Sequence, residues 1–128
     1  MSFAVNTIIA DDHPLFRSAL RQAAATCVPE EHIKETSDID GLFTLLANHP
    51  ETELIFLDLT IPGANGLQAL SQLRNRYPDI LVIMVSANET PAIIKQAMSL
   101  GAAGYIPKSS SLDVISEAIS HVLNGVND

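Results

Sequence analysis

Residues 53–66 read Glu-Leu-Ile-Phe-Leu-Asp-Leu-Thr-Ile-Pro-Gly-Ala-Asn-Gly. A short apolar run ends on an acid, Asp58, and passes into a stretch rich in turn residues, the pattern of a buried strand. The same pattern recurs along the chain. Val5 to Ala10 runs into Asp11-Asp12, Ile80 to Val85 into Ser86, and the short Gly104–Pro107 into Lys108. The run at 80–85 is apolar at every position, which predicts a central strand covered on both faces. His32 to Thr36 is polar and weak, and suits a sheet edge.

Between these runs the period changes to that of helices. Phe16, Ala19, Leu20, Ala23, Ala24 and Cys27 follow the i, i+3, i+4, i+7 rule, which places Cys27 on a core-facing stripe. Ser37 or Asp38 is suited to cap a helix whose apolar face is Ile39, Leu42, Phe43 and Leu46. A third helix carries Leu67, Leu70, Leu73 and Tyr77 and stops at Pro78. Pro91 suits the first turn of a fourth, ending near Gly101. Leu112, Ile115, Ile119, Val122 and Leu123 make the stripe of the last, before a soft tail from Asn124 to Asp128. Five strands alternating with five helices imply a doubly wound α/β fold: a five-stranded parallel sheet with helices on both faces.

Composition narrows the function classes. The chain has 128 residues, 47% hydrophobic and 17% charged, with a net charge of −8. That length fits one domain over residues 1–128. The negative charge argues against this chain gripping nucleic acid, which takes a basic surface. One cysteine, Cys27, offers neither an internal disulfide nor a zinc-site spacing. No stretch resembles a signal peptide or a membrane span, so a cytoplasmic protein without membrane contact is expected.

In a parallel sheet the carboxyl ends of the strands share one edge, and ligands bind in the crevice outside it. That edge would collect Asp11, Asp12, Asp58, Ser86 and Lys108. Three carboxylates without a counter-ion repel by about 4 kcal/mol per pair at 4 Å and an effective dielectric near 20. An all-oxygen set of this kind selects a hard divalent cation, Mg²⁺ above all. Asp58, from the middle strand, is the candidate nucleophile toward phosphorus. Lys108 would neutralise one side of the transferring group, and Ser86 would donate a hydrogen bond to it. His13 is read as a surface residue, because transfer from a good phosphodonor needs no general base. His32, His49 and His121 show no ligand spacing. Tyr105 reads as a half-buried core aromatic or a moving part, and spacing alone favours the core.

With these residues in place, the chain resembles the receiver domain of bacterial two-component response regulators (CheY-like) over essentially its whole length. The resemblance rests on Asp11-Asp12, on Asp58 followed by Pro62 and Gly66, on Ser86-Ala87, on Gly101-Ala102-Ala103-Gly104-Tyr105, and on Lys108. The stretches Asp12-His13-Pro14-Leu15-Phe16-Arg17 and Gly104-Tyr105-Ile106-Pro107-Lys108 are similar to the subfamily that carries a LuxR-type helix-turn-helix output domain. In many receivers a proline directly follows the lysine, often with a cis peptide. Here Pro107 precedes Lys108, and Ser109 follows it.

The resemblance implies phosphorylation of Asp58 by a sensor histidine kinase. It implies Mg²⁺ held by Asp12, Asp58 and the backbone carbonyl of Thr60, with Asp11 acting through a bound water. Such a domain is not an enzyme in its own right, although it assists its own phosphorylation and slow dephosphorylation. Ser86 and Tyr105 would form a switch pair, and residues 91–123 the output surface, able to pair with a second copy on phosphorylation. Transcription would be regulated through a DNA-binding domain outside this chain. Three rivals fit less well; one, a receiver fold that serves only as an unphosphorylated docking module, would not need the complete acid, hydroxyl and lysine set present here. A haloacid-dehalogenase-type phosphatase wants a second Asp where Thr60 stands, and a flavin binder's phosphate would be repelled by Asp11-Asp12.

Overall fold

The alternating pattern resolves, in a computed structural model, into a three-layer α/β sandwich; the structure describes residues 5–65 and 67–127, with side chains as far as Asn124. The strands are β1 (Thr7–Ala10), β2 (Ile33–Thr36), β3 (Leu54–Asp58), β4 (Leu81–Ser86) and β5 (Gly104–Pro107). The helices are α1 (Pro14–Ala25), α2 (Ile39–Asn48), α3 (Gln68–Arg76), α4 (Pro91–Ser99) and α5 (Leu112–Asn127). The strands are parallel, in the order β2-β1-β3-β4-β5, which puts β3 in the middle and the polar β2 at an edge.

Alternation of side chains along each strand divides the core in two. Ile55 and Leu57 of β3 face one cluster, with Ile8, Val82 and Met84, covered by Leu42 of α2, Leu70 of α3 and Ala97 of α4. Leu54 and Phe56 face the other, with Ile9, Ile83 and Val85, covered by Leu20 of α1 and Ile119 of α5. Phe56 is fully buried, and burial of such a side chain contributes roughly 1.5–3 kcal/mol.

Local chemistry sets the helix ends. Asp38 caps α2 by accepting a 2.6 Å hydrogen bond from the Gly41 N–H. Pro91 stands in the first turn of α4, where its missing N–H costs nothing. Gly101, just past the C-cap of α4, has φ +103, and a Cβ there would come within 2.8 Å of the Arg74 side chain. Gly101 is therefore held by backbone and packing together.

The departures from the sequence pattern are local. Helix α1 ends at Ala25, so Cys27 lies beyond its C-cap, Thr26, and is only partly buried against the second cluster. Its periodicity continued past the point where the chain turned. Glu30–His32 forms a 3₁₀ turn, so β2 starts at Ile33. Helix α5 runs to Asn127 and does not fray into a tail at Asn124, as expected when each added residue gains a bond on a helix already nucleated. Gly66 lies outside the described residues. No cis peptide bond occurs among the described residues. Pro107 closes β5 opposite Ser86, and the Lys108 N–H donates to the Ser86 carbonyl at 2.8 Å.

Candidate functional site

Register delivers the chemistry to one edge. β1, β3, β4 and β5 all end there, and the residues at or just past their ends are Asp11, Asp58, Ser86 and Lys108. Asp11, Asp58 and Ser86 are buried, whereas Asp12 is exposed at the rim. Lys108 binds the cluster together: its Nζ lies 3.1 Å from Asp11 Oδ2 and 3.1 Å from Asp58 Oδ2. The ammonium also sits 5.1 Å from the centroid of the Phe16 ring, a cation–π distance that helps hold it in place.

Asp58 is fixed from its other oxygen. Oδ1 accepts from the Thr60 backbone N–H and from the Thr60 hydroxyl, each at 3.0 Å. Burial pushes the Asp58 carboxyl up, but the Thr60 N–H, the Lys108 ammonium and the Thr60 hydroxyl outweigh it. The carboxyl is held below its ordinary value, so at neutral pH it is ionised. Asp11 Oδ1 accepts the His13 N–H at 2.6 Å. Asp11 Oδ2 is buried and accepts no hydrogen bond of good geometry; Lys108 attracts it by charge alone. A buried carboxylate oxygen so placed depends on the cationic charge beside it.

Asp11, Asp12, His13 and Asp58 each offer one ligand atom, and these atoms lie within 4.8 Å of one another. The donor set, three carboxylates with one buried oxygen that makes no hydrogen bond, fits a divalent cation. His13 is exposed, as the sequence reading has it, yet its Nδ1 leans over the acids, which that reading missed. The signal was its place directly after Asp11-Asp12, on the same strand-end loop.

Ser86 and Tyr105 meet through a residue the sequence did not single out. The Asn88 N–H donates to Ser86 Oγ at 2.9 Å, and the Tyr105 hydroxyl donates to the Asn88 carbonyl at 2.6 Å. Tyr105 is a half-buried aromatic at the margin of the core. Its ring is partly buried against the first cluster, and its hydroxyl reaches outward to the β4–α4 loop. Nothing in the spacing of Asn88 marks it, because both bonds use its backbone.

A parallel sheet carrying paired acids, a central strand-end carboxylate and a lysine at one edge is the arrangement of a receiver-type signalling domain. The chain belongs to the response regulator receiver domain family, which matches residues 7–120. It is 42% identical over 118 residues to the glycerol metabolism activator of Pseudomonas putida, covering 92% of this chain and 53% of that protein. It is 32% identical to the DNA-binding transcriptional activator EvgA of Escherichia coli, over 94% of this chain and 58% of that one. The receiver domain of the response regulator NarL from Mycobacterium tuberculosis superposes with a TM-score of 0.78 at 30% identity, covering 94% of this chain and 97% of that one. The chain spans about half the length of the curated relatives it matches. It is thus a receiver domain of a two-component response regulator, and its relatives are transcriptional regulators. No described helix is long and apolar enough to cross a membrane.

Proposed function

We propose that Asp58 is the phosphoacceptor of this receiver domain, with a sensor histidine kinase as donor and Mg²⁺ as cofactor. The observation that carries the reading is the Asp58 carboxylate itself. It is buried at the end of the central strand, held ionised, and has Oδ2 3.1 Å from Lys108 Nζ. An Asp58 oxygen attacks phosphorus, the O–P bond forms as the P–N bond to the donor imidazole breaks, and the imidazole leaves with a proton from solvent. Lys108 faces the developing charge, and the Thr60 N–H and hydroxyl orient the attacking carboxylate. Asp12, Asp58 and the Thr60 carbonyl would hold Mg²⁺, with Asp11 reaching it through a water. The ion supplies charge neutralisation, which is most of what phosphoryl transfer requires.

The new group adds about −1.5 to −2 charge, and the Ser86–Asn88–Tyr105 chain of hydrogen bonds gives it a path outward. When Ser86 turns to the phosphoryl oxygen it releases the Asn88 N–H, and the turn on which the Tyr105 hydroxyl rests is free to rearrange. Residues 91–123, where Met98, Leu100, Leu112 and Val114 are exposed, are the output surface. A second copy pairs there, and DNA is reached through an output domain outside these residues. The setting is cytoplasmic. Acetyl phosphate with Mg²⁺, followed by intact mass and peptide mapping, tests the reading. A single phosphoryl group on Asp58, lost in EDTA, is expected; a group on another residue, or equal labelling in EDTA, overturns it.

A further inference from the structure

His13 is the one member of the cluster that offers nitrogen. Its Nδ1 lies 3.2 Å from Asp12 Oδ1, 3.3 Å from Asp58 Oδ2 and 3.5 Å from Asp11 Oδ1. In an octahedral site with bonds of about 2.1 Å, neighbouring ligand atoms stand about 3.0 Å apart and opposite ones about 4.2 Å. The three distances fall inside that range, so Nδ1 borders the same space as the carboxylate oxygens.

Two contacts fix the ring there. The His13 backbone N–H is tied to Asp11 Oδ1 at 2.6 Å, which sets the loop. The Lys108 ammonium stands 2.7 Å from Nδ1, and an ammonium has donors only. Nδ1 is therefore the acceptor nitrogen of the imidazole; its one lone pair is directed at the Lys108 ammonium, and an ion gains it by displacing that ammonium. Beside the same atoms Asp11 Oδ2 is buried and makes no hydrogen bond, with the Lys108 ammonium at 3.1 Å as its counter-charge.

We propose that His13 is a nitrogen ligand at the cation position and makes the site discriminate in favour of Mn²⁺-class transition ions over Mg²⁺. The inference rests on reading the acid cluster as a divalent-cation site. Mg²⁺ takes oxygen ligands and keeps its waters, so it gains little from an imidazole beside three carboxylates. Transition ions gain more from an imidazole than Mg²⁺ does, and affinity for a nitrogen and oxygen site rises from Mn²⁺ through Co²⁺ and Ni²⁺ to copper, falling back at Zn²⁺. Lys108 gives up its bond to Nδ1 when the ion arrives and keeps its two carboxylate partners.

The test is Mn²⁺ titration of the whole chain, followed by electron paramagnetic resonance, with Mg²⁺ as competitor. The preference for Mn²⁺ over Mg²⁺ should fall by about tenfold or more in His13→Ala, with Mg²⁺ affinity little changed. Pulsed resonance of bound Mn²⁺ should show ¹⁴N coupling in the wild type, converting to ¹⁵N coupling when histidine alone is ¹⁵N-labelled. The labelling arm needs no variant, so it stands even if His13→Ala folds poorly. Absence of nitrogen coupling, or an unchanged ion preference, overturns the proposal. So does equally tighter binding of both ions by His13→Ala, which would make the imidazole a plug. Those failures leave Mg²⁺ binding by the wild type intact; no divalent binding at all would overturn the cation site itself.

Discussion

Lys108→Met removes the ammonium shared by Asp11 and Asp58 but keeps most of the length of the side chain. With each Oδ2 at 3.1 Å from Nζ, each attraction is about 5 kcal/mol gross at an effective dielectric near 20. The measured loss will be smaller than their sum, because the orphaned pair can relax by taking up one proton. At pH 7, protonating a carboxyl of ordinary pKa near 3.9 costs about 4 kcal/mol, three units at about 1.4 each. That caps the penalty and lies within the roughly 3–5 kcal/mol seen when a buried ion pair loses one partner.

The pH dependence follows from the signs. In the wild type the Asp58 pKa is lowered, so its ionisation adds stability above the unfolded value, lost as pH falls through the folded value. In the variant the folded pKa is raised, so the penalty grows as pH climbs above the unfolded value. At pH 5 the cap is only about 1.5 kcal/mol. Urea unfolding in EDTA at the two pH values should therefore show a loss that more than halves at pH 5. Saturating Mg²⁺, at about a hundred times its Kd, should return about 2.7 kcal/mol. A loss below about 1 kcal/mol at pH 7, or the same loss at both pH values, would refute the picture of two buried acids dependent on one lysine.

Other expectations are simpler to check. Asp58→Asn should fold but gain no phosphoryl mass from acetyl phosphate; a gain mapped elsewhere would move the acceptor. Tyr105→Phe removes the donor to the Asn88 carbonyl, and should leave labelling intact while shrinking the beryllofluoride-induced NMR shifts over residues 91–123. Undiminished shifts would take the hydroxyl out of the switch. Sedimentation of the wild type with beryllofluoride should show self-association, abolished by Val114→Glu; a monomer in both cases would send the output through another surface. Asp38→Ala should cost about 1 kcal/mol in urea unfolding through its lost cap, with phosphorylation unaffected.

The alternation of two periods was enough to place five strands, five helices, their parallel pairing and the acids at strand ends. Apolar runs such as Leu54–Leu57 have only one way to be buried on both faces, and a carboxylate that ends such a run must emerge at the sheet edge. Boundaries were less legible where chain direction overrode periodicity: Cys27 kept the spacing of α1 after the helix had stopped. What the linear order could not decide is which atoms meet. His13 over the acids, Lys108 shared between Asp11 and Asp58, and Asn88 joining Ser86 to Tyr105 bring together residues from different strand ends, or through backbone groups that every residue carries. Such contacts depend on register and loop path at the level of tenths of an ångström, and only the folded chain fixes these.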